Sequence, residues 1–273
     1  MATRLDLAYD REVHRVRTRM DSLALSSWDS LSSWRDDDYA RILKSIAPRL
    51  MVGRQTIANL TDAYIRKLGI ATFGKVKDGA VFKPTMKALR GVSDADVFHR
   101  PFASVYAALS EGKSLSAAVS EGRTRLAHVT ATGNQLAKTH AARAAISRTK
   151  FTKFQRTLTG RENCAMCVIA STQRYHRGDL LPIHPGCDCG VKPFETDADY
   201  QVIDQALLDL THEQATSKTG DFDWGARNLG LGKNLANSKL SDYTELIVTR
   251  DHGEIGPTLT WRSDKFTGPA DLK

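Results

Sequence analysis

Apolar positions in the first hundred residues recur at helical spacing. Val13, Val16, Met20 and Leu23 follow a 3-4-3 pattern, which places them on one face of a helix. Ser30, Ser32 and Ser33 interrupt that pattern between Trp28 and Trp34. Asp36-Asp37-Asp38 reads as the next helix start, because acids favour the positive end of the helix dipole. Tyr39, Ile42, Leu43 and Ile46 form a second apolar face, with Pro48 near its end or in a kink. Ile57, Leu60, Tyr64 and Leu68 continue the period until Gly69, and the glycines and prolines from Gly74 to Pro84 predict a loop. Ser93-Asp94-Ala95-Asp96 caps a predicted short helix, and Pro101–Leu109 and Ser114–Ser120 are helix-compatible. Gly133–Thr149 reads as an amphipathic helix. All these faces are expected to pack a core.

The later part of the chain is patterned differently. Val202–Leu210 predicts a short helix, and Lys218–Lys239, rich in Gly, Asn and Ser, an irregular linker. Glu245–Arg250 and Thr258–Arg262, separated by Asp251-His252-Gly253, read as two strands around a turn, and Lys265–Lys273 as a polar tail. The expected fold is mainly α: a helical N-terminal region, a small cysteine-rich α+β lobe and a short C-terminal β-hairpin. Three regions follow: a helical docking region (1–122), a basic helix with the cysteine cluster (123–195), and an acidic segment with linker, hairpin and tail (196–273).

The chain has 273 residues, 41% of them hydrophobic, and a mean hydropathy of −0.36. Wholesale disorder and an integral membrane protein are excluded on that composition, since no stretch approaches the roughly 18 uncharged apolar residues of a spanning helix. The first residues carry no secretory pattern, so a soluble protein made in a cytoplasm and independent of membranes is expected. Formal charge is +8. From Arg123 to Arg161 there are nine basic residues and no acid. Within that span Arg143, Arg148, Lys150, Lys153 and Arg156 are candidates for phosphate contacts. An ordinary solvated face, or a face turned to an acidic subunit, suits the same residues. Only Phe151 and Phe154 are available there for base stacking. Past the cysteines the sign reverses: eight acids between Glu195 and Asp223 meet the single Lys218.

All four cysteines lie within 26 positions: Cys164 and Cys167 as C-x2-C, then nineteen residues, then Cys187 and Cys189 as C-x-C. Two short-range pairs joined by a loop supply the four tetrahedral ligands of a structural zinc. His184, in the turn before the second pair, is a possible substitute ligand, and His176 a weaker one. One or two disulfides, or four reduced thiols packing a small lobe, also suit the spacing. Catalysis has less to build on. The chain lacks H-E-x-x-H, a deaminase H-x-E upstream of the second cysteine pair and a G-x-S-x-G elbow. His184 with Cys187 is the one suggestive nucleophile–base pair.

Ala145-Ile146-Ser147-Arg148-Thr149, Asn163-Cys164-Ala165-Met166-Cys167 and Pro182-Ile183-His184-Pro185-Gly186-Cys187-Asp188-Cys189 together resemble the phage Mu F-like minor head proteins. That family has an Arg-Thr at a helix end, a C-x-x-C, a variable loop and a His-Pro-x-Cys-x-Cys turn. The resemblance covers about 50 residues; Asp188 stands where relatives often carry Arg, and the link from Thr149 to Cys164 is short. It implies a non-enzymatic structural minor head protein of a tailed bacteriophage, assembled in the host cytoplasm and held inside the capsid. Its implied partners are the portal protein, the major capsid protein and packaged DNA, and its implied tasks are head assembly, head–tail connection and DNA packaging or delivery. Proteins from the same gene position in actinobacterial phages are sometimes labelled capsid maturation proteases, which keeps a protease as the alternative. A zinc-knuckle nucleic-acid-binding protein is the third reading.

Overall fold

The computed structural model describes residues 3–157, 171, 174–176, 189–194, 247–251 and 257–261. Helices account for most of the described residues, so the fold is mainly α, as the periodicity predicts. The chain divides into two compact units, Met1–Lys150 and Phe151–Lys273.

In the first unit, α1 (Arg4–Asp29) starts on a capping box in which Thr3 and Asp6 satisfy each other's backbone N–H. Its inward stripe is Tyr9, Val13, Met20, Ala24 and Trp28, while Val16 and Leu23 sit at the margin. The Asp triplet opens α2 (Asp36–Arg41) as expected. Pro48 does not end the helix that follows. A π-helical turn, Ile42–Ile46, carries the chain directly into α3 (Ala47–Phe73). Proline has no N–H and its ring crowds the carbonyl four residues back, and widening that turn accommodates both effects.

Gly69 does not end α3 either; the stop is Gly74, left-handed at φ 75°. Gly69 is buried within the helix because a Cβ there would lie 2.7 Å from Val76 and 3.0 Å from Thr149. After the loop come α4 (Met86–Arg90) and α5 (Asp94–Ser110). The Ser93–Asp96 box caps α5, and one helix continues through Pro101 where the pattern suggested two pieces.

The last helix of the unit, α6 (Leu115–Ile146), merges the two predicted segments at 114–120 and 133–149. It passes unbroken through position 122, where the sequence pattern sets its first regional boundary. Helices α1, α3, α4 and α5 all pack against it, and residues 132–139 are buried on every side. The amphipathic expectation therefore fails for this stretch. Its polar residues Thr132, Asn134, Gln135, Lys138 and Thr139 face other helices instead of water.

The second unit carries the predicted strands. β1 (Lys153–Thr157) is the centre of a three-stranded antiparallel sheet, between β2 (Arg174–His176) and β3 (Gly190–Phe194). β4 (Ile247–Asp251) and β5 (Pro257–Trp261) pair antiparallel, with Ile247 opposite Trp261, which is the expected C-terminal hairpin. The expected helix at 202–210, the linker at 218–239 and the tail at 265–273 lie outside the described residues.

Candidate functional site

The sheet arranges what the structure describes of the cysteine site. In β1, Phe154 and Arg156 are buried on one face, opposite Pro193 and Val191 of β3. Thr157 pairs with Gly190, so the end of β1 and the start of β3 are neighbours. The chain leaves β1 seven residues before Cys164 and enters β3 directly after Cys189. The strand leading toward the first cysteine pair and the strand leaving the second therefore meet at one end of the sheet.

At that end Arg156 donates from Nη1 to Cys189 Sγ at 3.3 Å, and each residue is only 1% exposed. A guanidinium in apolar surroundings requires electron-rich partners. Cys189 Sγ supplies one such acceptor. Gln155 Nε2 donates to the Ser171 carbonyl at 3.1 Å and ties the intervening segment to β1. Cys164, Cys167, Cys187 and His184 lie outside the described residues; His176 is in β2, opposite Lys153. Among the described residues no group of three or more His, Cys, Asp or Glu is placed to hold a metal. Cys189 is the one expected ligand whose surroundings are described, and a buried sulfur beside a cation fits a structural metal centre.

The candidate phosphate-contacting residues separate by burial. Arg143 and Lys150 are exposed and Lys153 is half-buried. Arg156 belongs to the cysteine site. Arg148, just beyond the end of α6, ion-pairs with the buried Asp62 of α3 and donates to the Gly79 carbonyl at 2.6 Å. Its backbone carbonyl accepts from Lys77 N–H at 3.0 Å, and Thr149 Oγ1 donates to the Ile146 carbonyl at 2.7 Å. The Arg-Thr pair thus closes α6 against α3 and the following loop. Lys138, from the same basic span, is buried next to Asp10, whose carboxyl is raised by burial and drawn back by that cation. Arg123 is committed to a two-bond pair with Asp29 at 2.8 and 3.1 Å. Of the run, Arg123, Lys138, Arg148 and Arg156 are thus engaged within the fold, while Arg143 and Lys150 face solvent.

Sequence reasoning missed two features. One is Arg54, 2% exposed, with a single carboxylate, Asp94, at 3.5 Å; burial pulls its guanidinium down to about 10. It lies over Gly133 of α6, a pairing no local pattern announces. The other is the location of the charge. Residues 1–150 hold 25 Lys and Arg against 14 Asp and Glu, a net +11, whereas 151–273 hold 14 against 17, a net −3. A count by unit, which needs the unit boundary, would have found it. Compared with protein-family models, with curated proteins and with solved structures, the chain matches none.

Proposed function

We propose that this chain is a structural minor head protein of a tailed bacteriophage, held inside the capsid, whose helical unit docks the portal or the capsid shell. The observation that carries the reading is the buried Arg156–Cys189 contact at the sheet end where β1 stops and β3 starts. Burial of this kind suits a stiffening site better than a reactive one, since a reactive thiol needs access. The position of Arg148 and Thr149 at the end of α6 supports the same reading, because the resemblance rests on an Arg-Thr at a helix end.

In this proposal Cys164, Cys167, Cys187 and Cys189 hold a structural zinc, with His184 as the substitute ligand. Four thiolates around Zn²⁺ carry a net charge of −2, and Arg156 offsets part of it from the sheet side. Bound zinc would supply folding energy to the second unit and no chemistry.

Native mass spectrometry of the intact chain, with and without a chelator, tests the site. One zinc per chain, lost together with part of the fold, is the expected result. A metal-free chain with four alkylatable thiols would reopen the protease alternative at His184 and Cys187. Co-purification of the full chain with a portal protein expressed alongside it tests the assembly role; no retention on the portal or the shell protein would count against it.

A further inference from the structure

The largest organised display of charge in the helical unit lies on α1. Its buried residues are Asp6, Tyr9, Val13, Arg17, Met20, Ala24 and Trp28. At about 100° per residue these occupy a sector roughly 100° wide. Arg4, Arg11, Arg15 and Arg19, all exposed, fall within about 80° of one another on the opposite side. They form a straight stripe about 22 Å long with steps of about 10, 6 and 6 Å.

The acids of α1 are segregated from this stripe. Asp6 is buried and accepts from Tyr64 Oη at 2.9 Å. Asp10 and Asp21 are half-buried beside Lys138 and Arg17 respectively, and Asp29 is taken by Arg123. Only Glu12 borders the stripe, in an exposed pair with Arg15. Such a pair contributes little and yields readily to a stronger anion. The outward face of the first five turns is thus almost purely cationic.

We infer that the arginine stripe of α1 is a binding surface for the phosphate backbone of a nucleic acid duplex. Three observations choose this partner over other anionic surfaces. All the cations of α1 are arginine and none is lysine, and the guanidinium fork matches phosphate oxygens bidentately. The 6 Å steps are close to two 3.4 Å base steps along one strand, so successive arginines reach separate phosphates. The apolar face of α1 is consumed by the unit's core, which leaves Leu7 as the large apolar side chain it exposes, far short of the apolar face that a lipid interface absorbs. Contacts to the phosphate backbone carry no sequence information, so binding is independent of sequence. The inference stands apart from the phage reading, since charge geometry alone carries it.

The test uses the full chain and a 24-base-pair duplex of arbitrary sequence, with affinity measured between about 50 and 200 mM salt. Four phosphate contacts give a slope of log K against log salt of about −3.6, roughly a 150-fold loss over that range. The triple variant Arg11→Gln/Arg15→Gln/Arg19→Gln should reduce the magnitude of the slope by about 2.7. Arg11→Lys/Arg15→Lys/Arg19→Lys should keep most of it, which separates loss of charge from loss of fold. The variant Arg143→Gln/Lys150→Gln, which removes exposed cations elsewhere, should leave it unchanged. The inference is overturned if the triple Gln variant binds like the parent chain, or if the Arg143/Lys150 variant alone loses the slope. Equal affinity for poly-glutamate or for phosphatidylserine vesicles would overturn it too, assigning the stripe to an acidic protein or a membrane.

Discussion

Asp38 shows how much one side chain can organise. Its Oδ2 accepts from Ser32 N at 3.2 Å, Ser33 N at 2.8 Å, Ser33 Oγ at 3.0 Å and Trp34 N at 2.8 Å. It thereby fixes the turn between α1 and α2, including Trp34 at φ 52°, a conformation uncommon for a residue with a side chain. Burial alone would raise this carboxyl; the four donors outweigh it and hold the carboxyl below its ordinary value. A depressed folded-state value means the stabilisation is complete above the unfolded carboxyl value of about 3.9 and fades as pH falls through the folded one. Asp38→Asn should cost about 2 kcal/mol at pH 7 in urea denaturation, and the gap to the parent chain should narrow as pH falls below the unfolded carboxyl value. The sequence marked the Asp triplet as a helix start but not the backward reach of its third member, because that reach depends on the turn it stabilises. The partner of Arg148 was illegible for a related reason: Asp62 lies far off in sequence, so a buried pair and a surface cation look identical there. Arg148→Ala should lower stability by about 3 kcal/mol by stranding Asp62 and leave the salt dependence of duplex binding unchanged.

Element boundaries were legible where the signal was local. The Ser93 capping box, the Asp36–Asp38 helix start and the loop opened by the left-handed Gly74 are all sequence-near devices. Boundaries failed where packing overrode a breaker. Gly69, Pro101 and Gly122 all lie inside helices, and the two glycines serve as close-approach points. At Gly122 an added Cβ would lie 2.6 Å from both the Trp28 ring and Val105, two groups with little freedom to retreat. At Gly53 it would meet Met20 Sδ, in the flexible part of an unbranched side chain. Alanine gains about 1 kcal/mol over glycine in a helix interior, while overpacking costs about 1–3 kcal/mol. Gly122→Ala should therefore be destabilising by about 1–2 kcal/mol and Gly53→Ala close to neutral, a sign difference that parallel urea titrations would detect.

At the scale of the whole molecule, the chain divides into two units of opposite net charge. Residues 1–150 expressed alone should give a helical far-UV spectrum and one cooperative thermal transition; absence of that transition would mean the first unit needs the second. In the full chain, a chelator should lower only the transition that belongs to the second unit, which calorimetry resolves. The mainly helical fold and the terminal hairpin were readable because each follows from a period of three to four or of two. The interior course of α6 was not, because a helix buried on all sides loses the polar face that gives a helix its signature.

That burial also decides how the first unit exchanges with solvent. Amides of residues 132–139 hydrogen-bond within a helix enclosed by four others, and no local fluctuation short of separating those helices exposes them. In deuterated water their slowest rates should converge on a single opening free energy, and that value is the stability of the unit itself. The helix that looks least informative in the sequence thus becomes the molecule's internal gauge of its own folding.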